Sequence, residues 1–384
     1  MINTSLGYLA SLMLIASGLV YIAHKSHHRL FHYVPAIVML YFIVVILTGF
    51  GLWDSASTTL KETRSGITSA ILPAMLFLML LQCDMRVVIK LGKKLLLTFF
   101  GASITIIIGF IITYSIMHRF LPGDAWRGLS SLSASWMGGT GNMIAVQNAL
   151  HVPSDQVGYI LLTDSISYSI WFALLFALIA KSRAFDRWSR ASSIEDHINK
   201  LDINHNQAGV LGFPGMFFLF AIALSISSLS GHLAAFMPVF QFMSTSTWTI
   251  LIATFLGVIG GMTPLAKIGG CNVLSSILLY TLVALIASSS SFKGLALAPL
   301  YILCGIMILI IHALLMSLIA KIFRLNLSIC SIASLANIGG IAGATILAGA
   351  YNKNLVAVAV VMALLGFIIG TQGGLFVARI LSLL

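Results

Sequence analysis

The chain has 384 residues, 59% hydrophobic and only 8% charged, against about 25% charged in a soluble domain; composition alone excludes a water-soluble globule. Apolar runs near or above the roughly 20 residues that span hydrocarbon recur along most of the length, too long and too little alternating for the roughly 10-residue strands of a membrane barrel. The formal charge of +11 comes from basic loops and speaks of membrane orientation, since no segment carries the clustered basic face that nucleic acid requires.

Apolar segments are predicted at 5–23, 33–53, 67–85, 94–117, 126–150 and 156–180, and again at 209–229, 245–265, 273–290, 295–320, 329–350 and 355–380. Between the two sets lies a polar stretch, 181–208, with Arg183, Arg187, Arg190, Glu195, Asp196 and Lys200. It divides an N-terminal membrane repeat, 1–180, from a C-terminal one, 209–384, and is assigned as a cytoplasmic linker. The first run has no basic residue before it and Lys25 with Arg29 after it, which suits a retained helix with its N-terminus outside rather than a cleaved signal. Cys83, Cys271, Cys304 and Cys330 are scattered in or beside apolar segments without C-x-x-C pairing, and read as small core residues rather than a disulfide framework or metal site.

The fifth segment cannot be an ordinary helix. Gly138, Gly139 and Gly141 fall within four positions, each costing about 1 kcal/mol relative to Ala in a helix. Asn142, Gln147 and Asn148 add amides that lipid cannot satisfy. Broken backbone at membrane depth is tolerated only in protein or against a wet cavity, and such breaks form substrate or ion sites in secondary transporters. A shift of about 201 residues lays Gly138-Gly139 over Gly339-Gly340, and one of about 206 lays Ile71–Met85 over Ile277–Ser291. Each half therefore has its polar break in the fifth of its segments. Arg86, Lys90, Lys93 and Lys94 place the loop after segment three in the cytoplasm. If segment five dips in and returns as a re-entrant pair of half-helices, the basic stretch 181–206, Lys267, Lys321 and Arg324 also lie inside. Two interlaced crossing helices are the rival geometry. The expected fold is an all-α polytopic membrane protein of two inverted repeats, each of about five transmembrane helices plus one broken helix.

Most acidic residues (Asp54, Glu62, Asp124, Asp155, Asp186, Glu195, Asp196 and Asp202) stand in loops or at segment ends; Asp84 and Asp164 fall in apolar runs. A charge at the bilayer centre costs at least about 2.5–3.5 kcal/mol and marks function by default. A helix starting at Ser154-Asp155, after Pro153, puts Asp164 about 13 Å deep at about 1.5 Å per residue, near the midplane. Ser167, Tyr168 and Trp171 share its face. Carboxylate and hydroxyl oxygens suit a sodium ion, and a buried carboxylate equally suits a proton. The alternative is a structural Asp bonded between helices. Asp84, beside Arg86 and Lys90, is a secondary candidate, weighed against an interfacial ion pair. Asn142 and Asn337 offer amides to an ion or solute, and the freed backbone at 138–141 and 339–343 offers more. Gly343, Ala344 and Gly349 read as close helix packing; Gln372, in Gly370-Thr371-Gln372-Gly373-Gly374, as a hinge or a frayed end. His24, His27, His28 and His32 form an interfacial cluster.

At Ser135-Trp136-Met137-Gly138-Gly139-Thr140-Gly141-Asn142, with Asp164, Tyr168 and Trp171 following and Cys83-Asp84-Met85-Arg86 earlier, the sequence resembles the YjcL-like family of uncharacterised polytopic membrane proteins over nearly its whole length. That family is distantly similar to the cation/proton antiporters, bile-acid-type sodium symporters and auxin-carrier-like proteins. The resemblance implies transport by a core moving against a scaffold and assigns no substrate. Exchangers of that group pair acids at the crossing, whereas here Asn142 stands alone and the acid comes from the next segment, which argues against simple sodium/proton exchange.

The expected function is an ion-coupled secondary transporter of a small anionic or zwitterionic solute. Its binding residues would be Gly138, Gly139, Thr140, Gly141, Asn142, Asp164, Ser167, Tyr168, Asn337, Gly339 and Gly340. No cofactor or metal is expected beyond Na⁺ or H⁺ as coupling ion, and the partners are the lipid bilayer, the solute and, left open, a second copy of the chain. The other readings are a membrane sensor or binding protein, or an intramembrane enzyme, for which no H-E-x-x-H, G-x-S-x-G or P-loop pattern is present.

Overall fold

The structure, a computed structural model, describes residues 2–26, 35–54, 57–191, 212–239, 243–289, 297–352 and 354–384. Arg29, His27, His28, His32, Glu195, Asp196, Lys200 and Asp202 lie outside these residues. The described chain is helical, with an isolated β-bridge between Ile2 and Trp53. Seven of its helices are long and apolar enough to cross a membrane, and shorter apolar helices accompany them.

In order, the helices are α1 (Ser5–Lys25), α2 (Ala36–Gly49), α3 (Thr58–Leu80), α4 (Met85–Lys90), α5 (Gly92–Met117), α6 (Ala125–Gly138), α7 (Thr140–Ala149), α8 (Ser154–Leu178) and α9 (Ser182–Ser189). The second half holds α10 (Phe213–Ala234), α11 (Thr245–Gly261), α12 (Cys271–Ala287), α13 (Ala298–Phe323), α14 (Leu327–Ile338), α15 (Gly340–Tyr351) and α16 (Leu355–Leu381). Helix α3 starts at Thr58 rather than near residue 67. Its first turns are polar, with Lys61, Arg64, Ser65, Thr68 and Ser69 lining a cavity instead of lipid, so hydropathy missed them. The stretch after Lys181 begins as α9, whose Asp186 accepts from the Leu327 backbone N–H at 2.8 Å. That carboxylate meets the orphan donors and positive dipole end of α14.

Two groups of helices form. In one, α3 packs against α10, α11 and α12, with α1 and α2 against α12; in the other, α5 packs on α13, α6 on α16, and α8 on α13. The packing recurs between halves: α10 touches α11 and α3 as α1 touches α2 and α12, and α16 meets α5 as α8 meets α13.

Hydrogen bonds assign the helix ends to two faces. On one, Thr63 bonds Ser5, Ser154 donates to the Ser289 carbonyl, and the Ile2 N–H reaches Leu52. Arg127, at the start of α6, donates to the carbonyl of His151, just past α7. Helices α6 and α7 therefore enter from this face and return to it. On the other face, Asp84 pairs with Arg86, Lys321 donates to the Trp188 carbonyl, and α9 sits under the start of α14. Tyr351, ending α15, lies beside Ser331 and Cys330 near the start of α14, so the second pair dips in from this side. The second face carries Arg86, Lys93, Lys94, Lys181, Arg183, Arg187, Lys321 and Arg324, the kind of basic excess that accompanies cytoplasmic loops.

Candidate functional site

Gly139 ends α6 and opens α7 with φ 80° and ψ 176°, a backbone region essentially reserved for glycine. The break exposes the last carbonyls of one half-helix and the first amides of the next. Gly340, with φ 60°, turns the second hairpin. Both tips reach one cavity of about 160 Å³, walled by Ser135, Gly139, Thr140, Leu161, Asp164, Ser165, Tyr168, Gly339 and Gly340 and by Pro35 and Val38 at the start of α2.

Asp164 is the charged group of this cavity. The Ser135 hydroxyl donates to its Oδ2 at 3.1 Å and the Trp136 indole N–H to its Oδ1 at 2.9 Å. Both donors come from the last turn of α6, and Trp136 is fully buried, its ring edge-on to Phe110 at 5.4 Å. The carboxylate thus has one fixed rotamer, set by the hairpin that breaks beside it. Each of its oxygens has further lone pairs to offer a cation. Tyr168, one turn on, packs across the second tip: a Cβ on Gly343 would sit 2.8 Å from its hydroxyl.

Among the residues expected from sequence, Gly139, Thr140, Asp164, Tyr168, Gly339 and Gly340 come together at this cavity. The others take supporting positions. Gly138 lies against α16, where a Cβ would meet the Gly366 carbonyl at 2.6 Å. Gly141 faces Met75 and Met79 of α3. Asn142 is buried and bonded at both ends of its amide: its N–H donates to the Gly138 carbonyl at 2.6 Å, and its Oδ1 accepts from Thr371 at 2.5 Å. Asn337 is held likewise, donating to Ala333 at 2.9 Å and accepting from Ser103 at 2.8 Å. Each amide ties its hairpin to a neighbouring long helix instead of facing the cavity. Ser167 turns to Gly305 of α13. Asp84 lies just past the end of α3 on the second face, in a bidentate pair with the exposed Arg86, whose pKa these hydrogen bonds raise. An exposed pair of this kind is screened by water and contributes little.

Sequence reasoning passed over Ser135 and Trp136 as ligands of the carboxylate, and over a second buried knot. His312 in α13 shares one ring nitrogen with Thr105 at 2.7 Å and the other with Ser334 at 2.8 Å, while Trp171 donates to Ser334 at 2.9 Å. Thr105 already donates to the Ala102 carbonyl at 2.8 Å, so His312 Nδ1 carries the proton and Nε2 accepts from Ser334. A neutral imidazole thereby joins α5, α13, α14 and α8. The signal was present in the sequence, because an ionisable residue inside the apolar segment 295–320 is unusual.

Residues 10–384 match the family described as "Protein of unknown function (DUF819)". The chain is also similar to the "Uncharacterized membrane protein YjcL" of Bacillus subtilis (strain 168), 23% identical over 338 residues that cover 82% of each chain. An integral, multi-pass membrane protein of the all-α class, the chain belongs to the DUF819 family.

Proposed function

We propose that this protein is an ion-coupled secondary transporter of a small anionic or zwitterionic solute, with Na⁺ or H⁺ as coupling ion and no catalytic chemistry. The observation that carries the reading is the Asp164 carboxylate, held by Ser135 and Trp136 in the cavity where both hairpin tips converge. The tips enter from opposite faces, as an inverted repeat requires, and alternating access works by moving one bundle against the other around such a midplane site. In this reading α5–α8 with α13–α16 form the moving core, and α1–α3 with α10–α12 the scaffold. Asp164 and the hydroxyls of Thr140 and Ser165 supply hard oxygens for a cation. The amide ends of α7 and α15, which start at the cavity, supply positive partial charge for an anionic group.

The test is ion-gradient-driven uptake of labelled solute by proteoliposomes carrying the wild-type protein or Asp164→Asn. A wild-type signal driven by a sodium or proton gradient, and lost in Asp164→Asn, is expected. Gradient-driven accumulation that survives the substitution would remove Asp164 from the coupling role.

A further inference from the structure

A second cavity, of about 370 Å³, stands on the outer side of the first. One wall is the polar face of α3, where Lys61 and Arg64 project with Ser65, Thr68 and Ser69 at helical spacing. The opposite wall is the turn between α7 and α8, with Gln147, Asn148, His151 and Ser154. The basic groups Lys61, Arg64 and His151 line this space, and among the described residues no carboxylate does; Glu62 and Asp155, their sequence neighbours, are exposed and lie off its walls. Because α7 ends and α8 begins here, the two helix-end dipoles oppose each other and the side chains decide the sign of the field.

Gln147 points to a ligand. It is only 5% exposed, and neither its amide oxygen nor its amide nitrogen has a partner within the described protein. A buried amide left unmatched carries an uncompensated desolvation cost, and a solute carrying an acceptor beside a donor would satisfy it. The two cavities are joined through the same elements. Helix α7 runs from Thr140 in the inner cavity to Gln147 in the outer one, and on α8 the step from Val157 to Leu161 separates them, about 6 Å of helix.

We infer that the outer cavity is a recognition site for a small organic carboxylate, its anionic group held by Lys61, Arg64 and His151 and its polar remainder by Gln147. The site deepens the carrier reading by giving the solute its sign and its point of entry. It stands between α3 of the scaffold and α7–α8 of the core, so movement of either would open or close it.

The experiment is thermal unfolding of the purified full chain against pyruvate, succinate and L-glutamate, with sulfate at equal ionic strength as the inorganic comparison. At least one carboxylate is expected to raise the unfolding temperature with saturation. Half-saturation should move up by about tenfold or more in Lys61→Gln and in Arg64→Gln, and recover in Arg64→Lys. Lys61 is exposed, so its substitution leaves folding intact. The same shift should persist in Asp164→Asn, which separates this site from the transport reading: binding retained without uptake in that variant supports both. No shift from any of the three carboxylates, an equal shift from sulfate, or a half-saturation unmoved in both glutamine variants would overturn the inference.

Discussion

Asp164 owes its position to two donors that belong to another helix, and each can be removed singly. Trp136→Phe keeps the buried ring contact with Phe110 and deletes the N–H that reaches Oδ1. A hydrogen bond to a charged group contributes about 1.5–3 kcal/mol, so Trp136→Phe should lower stability by about 2 kcal/mol and weaken cation dependence. In a double-mutant cycle with Asp164→Asn the two losses should fail to add by at least about 1 kcal/mol; additivity would show that the indole does not act through the carboxylate. Thr371→Val tests the other hairpin bond. It strands the buried Asn142 Oδ1, at a cost of about 1–3 kcal/mol, whereas Thr371→Ser should stay close to wild type in a thermal-unfolding assay. Asp164 was visible in the sequence because a charge within an apolar run breaks the pattern on its own. Ser135 and Trp136 were not, because a serine and a tryptophan in a membrane segment have many ordinary uses and only the fold turns both toward one carboxylate.

The hairpins rest on glycines of two kinds, which substitution separates. At Gly139 the backbone is forced: φ 80° with ψ 176° is closed to L side chains, and Gly139→Ala should cost about 1–3 kcal/mol although its nearest neighbour is the far end of Phe367. Gly340, at φ 60° with open space around it, should lose only about 1 kcal/mol on the same change. Along α16, Gly366, Gly370 and Gly374 recur every fourth residue and form a flat strip against α6. Added Cβ atoms there would meet the Met137 carbonyl at 2.6 Å, the Gly138 Cα at 2.7 Å and the Ala134 Cβ at 2.6 Å. Such strips let membrane helices approach closely. Gly370→Ala should therefore sharply reduce the yield of folded protein on size-exclusion chromatography, and Gly349→Ala, 3.7 Å from a flexible Val356 methyl, should not. From the sequence, Gly370-Thr371-Gln372-Gly373-Gly374 suggested a hinge or frayed end. The four-residue spacing back to Gly366 was the better signal, and it marks a packing face. The breaks themselves were readable, since two adjacent glycines with an amide nearby have no place in a lipid-facing helix.

At the scale of the whole chain, the two faces make a prediction about access. Gly123 and His151 flank the first hairpin, and Arg324 and Asn352 flank the second; all are exposed. The native cysteines are buried and free, so they give little background. Single cysteines at Gly123 and His151 should both react with an impermeant maleimide in intact cells, and those at Arg324 and Asn352 only in inverted membranes. Labelling of the two ends of one hairpin from opposite sides would mean crossing helices. Charge bias had favoured dipping hairpins, and it could do so because Arg86, Lys93, Lys181 and Arg324 are spread over several loops. Hydropathy could not show the outer cavity, because Thr58 to Arg64 is polar and looked like a loop before α3. The fold revealed it by turning that polar face inward against α7 and α8.

The single turn of α8 between Val157 and Leu161 has an electrical meaning. Cavities of about 160 and 370 Å³ are roomy and polar enough to admit water, and water-filled space carries little of the transmembrane voltage. The potential then falls steeply across the thin partition, where an isolated helix would spread it over about 30 Å. On the carrier reading proposed above, a charge moving between the two cavities would cross part of that drop, worth up to about 2.3 kcal/mol per 100 mV. An inside-negative potassium diffusion potential should accordingly speed cation-dependent uptake in proteoliposomes, and a rate indifferent to voltage would mean that the partition carries no moving charge. On the proposed carrier reading, the short step between the two cavities would concentrate the membrane's field on one carboxylate.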